Sequence, residues 1–229
     1  MGQPCGRADC PIIDPRSVDR RALRVHTIAG GSEHFRATHR RFDANTFTPA
    51  GVGNGRFSPL EGRGHTYVAR QRSAALLESV FHEASGPNPR IYRSQLADHQ
   101  IVRLHVVDPV RVLDLRDPAL AELGLERSQL TAANPVHYPC TRSVAERIVG
   151  TKGTAGLVWT SRQGSLHAER NRDGLAAEVL RHDSLDVAVF YTPDHSGLIE
   201  MIDAEPLMQA DGPSRFVVEL ANLLRIAIL

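Results

Sequence analysis

At 229 residues the chain can bury a sizeable core as one large domain or two small ones. Its 27 basic and 26 acidic side chains leave a formal charge of only +1, which announces neither a polyanion-binding surface nor an acidic partner. No run approaches the roughly eighteen apolar residues of a membrane span, and MGQPCGRADC lacks the apolar core of a signal peptide, so a soluble, cytoplasmic protein is expected. Cys5, Cys10 and Cys140 are odd in number and form no CxxC pair, which argues for reduced thiols rather than a disulfide framework or a structural zinc.

Residues 1–20, with prolines at 4, 11 and 15, read as an extended or partly disordered segment. Arg21 to Thr27 supplies a first strand in which Leu23 and Val25 alternate with Arg24 and His26. From Ala29 to Leu60 the chain is rich in Gly, Pro, Asn, Thr and Arg, which predicts a long loop of the lid or binding kind. His65 to Arg70, HTYVAR, is a short strand. A helix follows, capped by Ser73 and stopped at Ser85, Gly86 and Pro87, with Leu77, Val80, Phe81 and Ala84 in one apolar stripe and Glu78 at its edge.

Gln100 to Val107 and Val110 to Leu115 read as strands around an Asp108-Pro109 turn, and Asp117 to Gly124 as a short helix with Asp117 capping. Cys140 to Gly150 is a helix, while AGLVWT (155–160) and LDVAVFY (185–191) are apolar enough for central strands. A last amphipathic helix at about 214–228 leaves Leu223, Ile226, Ile228 and Leu229 as apolar area for self-association.

Metal chemistry finds little support, since there is no HExxH and the pairs His34/His39 and His99/His105 do not converge by spacing. GVGNG lacks the flanking strand and helix of a nucleotide fingerprint, and Ser161 is not in a GxSxG elbow.

The segment from Gly55 to Glu83 packs an arginine, a strand and a helix into one supersecondary unit. Arg56 in GRFSP, Tyr67 in YVA and Glu78 in AALLE stand eleven residues apart each time (67 − 56 and 78 − 67). This order resembles the core of the RES domain, with Arg24 in LRVH resembling the family's first arginine and Ser161 in GLVWTSR its serine. The resemblance implies an α/β (α+β) fold: a single domain at 21–229, built on a mixed β-sheet core like that of ADP-ribosyltransferases, with helices on its flanks. Arg24 and Arg56 are 32 residues apart (56 − 24), so about 29–60 looks like an insertion, and Arg36, Arg40 and Arg41 remain alternatives to Arg24.

RES proteins are toxins of RES-Xre toxin-antitoxin pairs that consume NAD, so the resemblance implies NAD as substrate, no separate cofactor and no metal. Inorganic phosphate is a candidate co-substrate. The implied roles follow the chemistry of the nicotinamide–ribose bond. Glu78 faces the developing ribosyl cation, Arg24 and Arg56 hold the diphosphate, Tyr67 stacks on nicotinamide, and Ser161 bonds the carboxamide or ribose. Protein ADP-ribosylation and an inactive partner-binding module are the alternatives. The implied partner is an Xre-type antitoxin encoded beside the toxin, through which alone nucleic acid would be met, and no membrane is involved.

Overall fold

Alternating apolar residues give the main sheet two buried faces. The computed structural model describes residues 4–42, 47–82, 84, 88–170, 185–192 and 197–229. Its principal strands are β1 (Val25–Ile28), β2 (Glu33–His39), β3 (Gly64–Ala69), β5 (His99–Val106), β6 (Val110–Asp114), β7 (Gly156–Thr160), β8 (Asp186–Thr192) and β9 (Ile199–Pro206). They form one mixed eight-stranded sheet in the order β1-β6-β7-β8-β3-β2-β5-β9. The β6–β7 pair is parallel and the other neighbours run antiparallel.

Along β8, Val187, Val189 and Tyr191 enter one core while Ala188 and Phe190 enter the other, as a period of two requires. Helices α1 (Arg72–Leu77), α3 (Asp117–Glu122), α4 (Tyr138–Ile148) and α6 (Arg215–Leu223) cover the first core, joined by Leu96 of a short helix. The second draws on seven strands and Phe47, so there the curled sheet packs against itself. Gly156 lies where β7 meets β8: a Cβ there would stand 2.3 Å from the Val189 carbonyl oxygen, which leaves room for glycine alone. The two remaining helices are α2 (Arg93–Ala97) and α5 (Arg162–Arg170).

Several expectations are revised. The segment expected as a loop from Ala29 to Leu60 contains β2, which pairs with β5 over seven residues. Its polar composition has a physical reason: β2 lines an open cleft. In the N-terminal segment Ile12 and Val18 are buried in the main core, and a 3₁₀ turn at Pro15–Ser17 is capped by Asp14. Ser73 does not cap α1; Gln71 occupies that place, and Ser73 lies buried in the first turn. The helix ends at Leu77, because the Ser79 hydroxyl donates to the Ala75 and Leu76 carbonyls at 2.6 and 3.3 Å and competes with the continuing ladder. Its expected stop at Ser85, Gly86 and Pro87 lies outside the described residues. In α3, Arg116 holds the cap position and Asp117 opens the first turn.

The C-terminal helix is shorter than expected. Arg225 takes a positive φ of 56°, and the amides of Ile226 and Arg225 bond back to the carbonyls of Ala221 and Asn222, which is a Schellman closure. A short hairpin, β10 (Met208–Gln209) with β11 (Gly212–Pro213), precedes this helix, and beyond it β12 (Ala227–Ile228) pairs with β4 (Arg90–Ile91). Of the apolar residues there, Ile226 is buried and Leu223 and Ile228 are partly buried, while Leu229 stays exposed. No helix among the described residues is long and apolar enough to cross a membrane.

Candidate active site

A cleft of about 890 Å³ opens beside β2 and β3, lined by Arg36 and Thr38 of β2, Arg56, Tyr67 of β3, Glu78, Tyr138 and Trp159. Three of the five residues expected at a site thus line it directly: Arg56, Tyr67 and Glu78.

Glu78 is the C-cap of α1 and half buried. A carboxylate at the negative end of a helix gains nothing from that helix. Its support comes from the start of α5. The Ser161 hydroxyl donates to Glu78 Oε1 at 2.6 Å, and the Gln163 backbone N–H approaches the same oxygen at 3.4 Å. Ser161 is also the cap of α5, its oxygen accepting from the Gly164 amide at 2.9 Å. Fully buried and committed to Glu78, it does not line the cleft. Its hydroxyl holds the Glu78 carboxylate in place from behind the cleft wall.

Arg56 is 5 % exposed, with its guanidinium 5.5 Å from the Tyr138 ring centroid and its backbone carbonyl accepting from Thr141. Its Nε has no partner, and no carboxylate pairs with it among the described residues. A buried cation without a counter-charge is costly, which suits a group that meets an anion.

Tyr67 stands edge-on to the single tryptophan, Trp159, at 6.0 Å between ring centroids. Its hydroxyl is not free, since the Phe57 amide donates to it at 3.2 Å and Ser58 Oγ lies 2.9 Å away. Burial raises its pKa. Gly55 passes so close that a Cβ there would meet the Tyr67 hydroxyl at 2.6 Å, which ties the Arg56 loop to the ring.

Arg24 lies elsewhere. It is exposed, pairs with Glu122 and precedes β1, which β6, β7 and β8 separate from β3. Arg36 instead projects from β2 into the cleft, and burial lowers its pKa. Arg40 and Arg41 are exposed, the latter 4.8 Å from the Phe42 ring centroid. Trp159 and Tyr138 went unassigned in the sequence: Trp159 reads there as part of an apolar strand, and Tyr138 precedes the predicted helix.

The residues that match the family model of the RES domain run from 33 to 190. The chain belongs to the RES family. The match leaves Arg24 outside and takes in Arg36, Arg56, Tyr67, Glu78 and Ser161. A chain in the crystal structure of the M. tuberculosis MbcT-MbcA toxin-antitoxin complex has a similar fold, with a TM-score of 0.55 at 16 % identity over 83 % of this chain and 90 % of that one. No curated protein matches the sequence.

Two buried histidines give this RES domain an acid limit. Burial, with Arg36 nearby, lowers His65 to about 4, and burial with Arg70 nearby lowers His34 likewise to about 4. Above about pH 6.5 both rings are neutral whether the chain is folded or not. Below it the unfolded chain takes up protons that the folded chain refuses until about 4. Stability is therefore expected to fall on acidification from about pH 6.5 to 4, and the double variant His34→Gln/His65→Gln to show a flatter profile of thermal midpoint against pH. An equally steep profile in that variant would assign the loss to other groups.

Proposed function

We propose that this RES domain is the toxin of a toxin-antitoxin pair and degrades NAD by cleaving the nicotinamide–ribose bond. The observation that carries the reading is the pairing within one cleft of a held carboxylate, Glu78 on Ser161, with Arg56, a buried guanidinium that no carboxylate neutralises among the described residues.

The chemistry asks for little acid catalysis. When the bond breaks its electron pair leaves with nicotinamide, whose pyridinium nitrogen becomes neutral, and the ribose carbon becomes cationic. A carboxylate fixed beforehand beside that carbon lowers the barrier by electrostatics, and two hydrogen-bond donors fix Glu78 without neutralising it. Arg56 and Arg36 supply positive charge for the diphosphate. Tyr67, backed edge-on by Trp159, offers an aromatic surface to nicotinamide. Water then gives ADP-ribose and a proton; inorganic phosphate gives ADP-ribose 1″-phosphate and a proton.

An enzyme of this kind would exhaust its own cell's NAD, so an antitoxin of the Xre type is the expected partner. An antitoxin partner gains support from the toxin-antitoxin complex in which the similar MbcT-MbcA chain occurs. The test is incubation of the purified chain with NAD, with and without phosphate, and separation of the products. Free nicotinamide with one of the two ADP-ribosyl products is expected. Labelled protein without free ADP-ribose would favour protein ADP-ribosylation, and unchanged NAD would overturn the proposal.

A further inference from the structure

Outside the cleft, the fold brings its three cysteines together. Cys5 and Cys10 lie 130 residues or more before Cys140, yet the three sulfur atoms all lie within 4.8 Å of one another. Cys10 Sγ is 3.6 Å from Cys140 Sγ, and Cys5 Sγ is 3.6 Å from His137 Nδ1. The backbone amide of Cys5 donates to Cys140 Sγ at 3.3 Å. His137 is the cap of α4 and Cys140 lies in its first turn, so the positive end of that helix faces the cluster.

Two of these distances match edges of a coordination tetrahedron. Zinc with sulfur at about 2.3 Å and imidazole nitrogen at about 2.0–2.1 Å places tetrahedral ligands about 3.8 Å apart for a sulfur pair and about 3.6 Å for a sulfur and a nitrogen. The Cys10–Cys140 and Cys5–His137 separations fall on those values. Closing the site asks for side-chain movements: the remaining sulfur pairs draw in from at most 4.8 Å to about 3.8 Å, and the His137 ring, which stands beside Cys5 but outside that group of sulfurs, swings toward Cys10 and Cys140.

We infer that Cys5, Cys10, Cys140 and His137 form a structural zinc site, Cys₃His, that fastens the N-terminal segment to the start of α4. Four protein ligands close the coordination sphere, which makes the ion structural rather than catalytic. Three thiolates select zinc over the hard cations calcium and magnesium. The amide of Cys5 donating to Cys140 Sγ is the kind of outer contact that steadies a thiolate ligand. The site sits next to the cleft wall in sequence: Tyr138 stacks on Arg56, and Thr141 holds the Arg56 carbonyl. The free thiols read from the sequence stand together in the fold. The spacing hid this, because the two halves, C-x₄-C and H-x₂-C, are far apart in the chain and neither alone is a zinc signature.

The experiment uses the full chain, purified under reducing conditions in zinc-buffered solution, with metal content measured by mass spectrometry. About one zinc per chain is expected for wild type, and less than about a tenth of that for Cys10→Ser/Cys140→Ser. Stripping the ion with a chelator should lower the thermal midpoint by at least about 5 °C. Cobalt(II) replacing zinc should give sulfur-to-metal charge-transfer bands and the intense visible bands of a tetrahedral ion, a readout on wild type that does not depend on the variant folding. Wild type without bound zinc, whether its thiols titrate freely or Cys10 and Cys140 are found as a disulfide, would overturn the site. So would cobalt bound without charge-transfer bands, or full zinc content in the folded double variant.

Discussion

Glu78→Gln is expected to cut NAD turnover by at least about 10²-fold, equivalent to about 2.7 kcal/mol of transition-state stabilisation, while leaving the thermal midpoint within about 2 °C of wild type. The amide keeps a carbonyl oxygen to accept from the Ser161 hydroxyl and the Gln163 N–H, so the local frame survives and only the charge is lost. Its position at the C-terminus of α1 means that losing the charge relieves one unfavourable dipole contact even as it forfeits a favourable one at α5. Ser161→Ala is the companion variant. It leaves the carboxylate charged but removes its 2.6 Å donor, so kcat should fall by a smaller factor, about 10-fold, with KM for NAD little changed. The measurement is NAD consumption by folded protein under single-turnover conditions. Turnover of Glu78→Gln within about threefold of wild type, a difference of about 0.65 kcal/mol, would remove the carboxylate from the chemistry.

Much of the sheet was legible because its strands are buried on both faces. Runs such as GLVWT and DVAVFY announce themselves by continuous apolar character, and the structure places them at the centre as β7 and β8. β2 was illegible for the opposite reason. Its residues line an open cleft rather than a closed core, so EHFRATH carries His, Arg and Thr where an ordinary strand would carry Val or Ile. Arg24 illustrates a different limit. Its sequence neighbourhood is that of a strand with one polar face, but only the strand order shows that β1 lies at the far edge of the sheet, whereas Arg36 stands on the strand beside β3. The role of Ser161 needed the fold as well. The sequence placed it at a strand end, and the next residue begins a helix, so the same hydroxyl caps α5 and holds Glu78.

Arg56→Met should separate function from stability by moving them in opposite directions. The unbranched thioether fills a volume close to that of the arginine stem and can pack on Tyr138, while the buried guanidinium and its unpartnered Nε are removed. Replacing an uncompensated buried charge by an apolar side chain of similar shape is commonly neutral or stabilising, so the thermal midpoint is expected to hold or rise, by about 2–4 °C per kcal/mol gained in a chain of this size. Activity should go the other way. Charge-assisted contacts to phosphate oxygens contribute about 1.5–3 kcal/mol each, and losing them should reduce kcat/KM for NAD by about 10²-fold, mainly through KM. Arg56→Lys retains the charge without the planar fork and should fall between the two. A structural role for Arg56 predicts the reverse pattern: a lower midpoint in Arg56→Met, with KM for NAD within about threefold of wild type in whatever protein stays folded. Thermal denaturation and initial-rate kinetics on the same preparations therefore decide between an arginine kept for an anion and one kept for the fold.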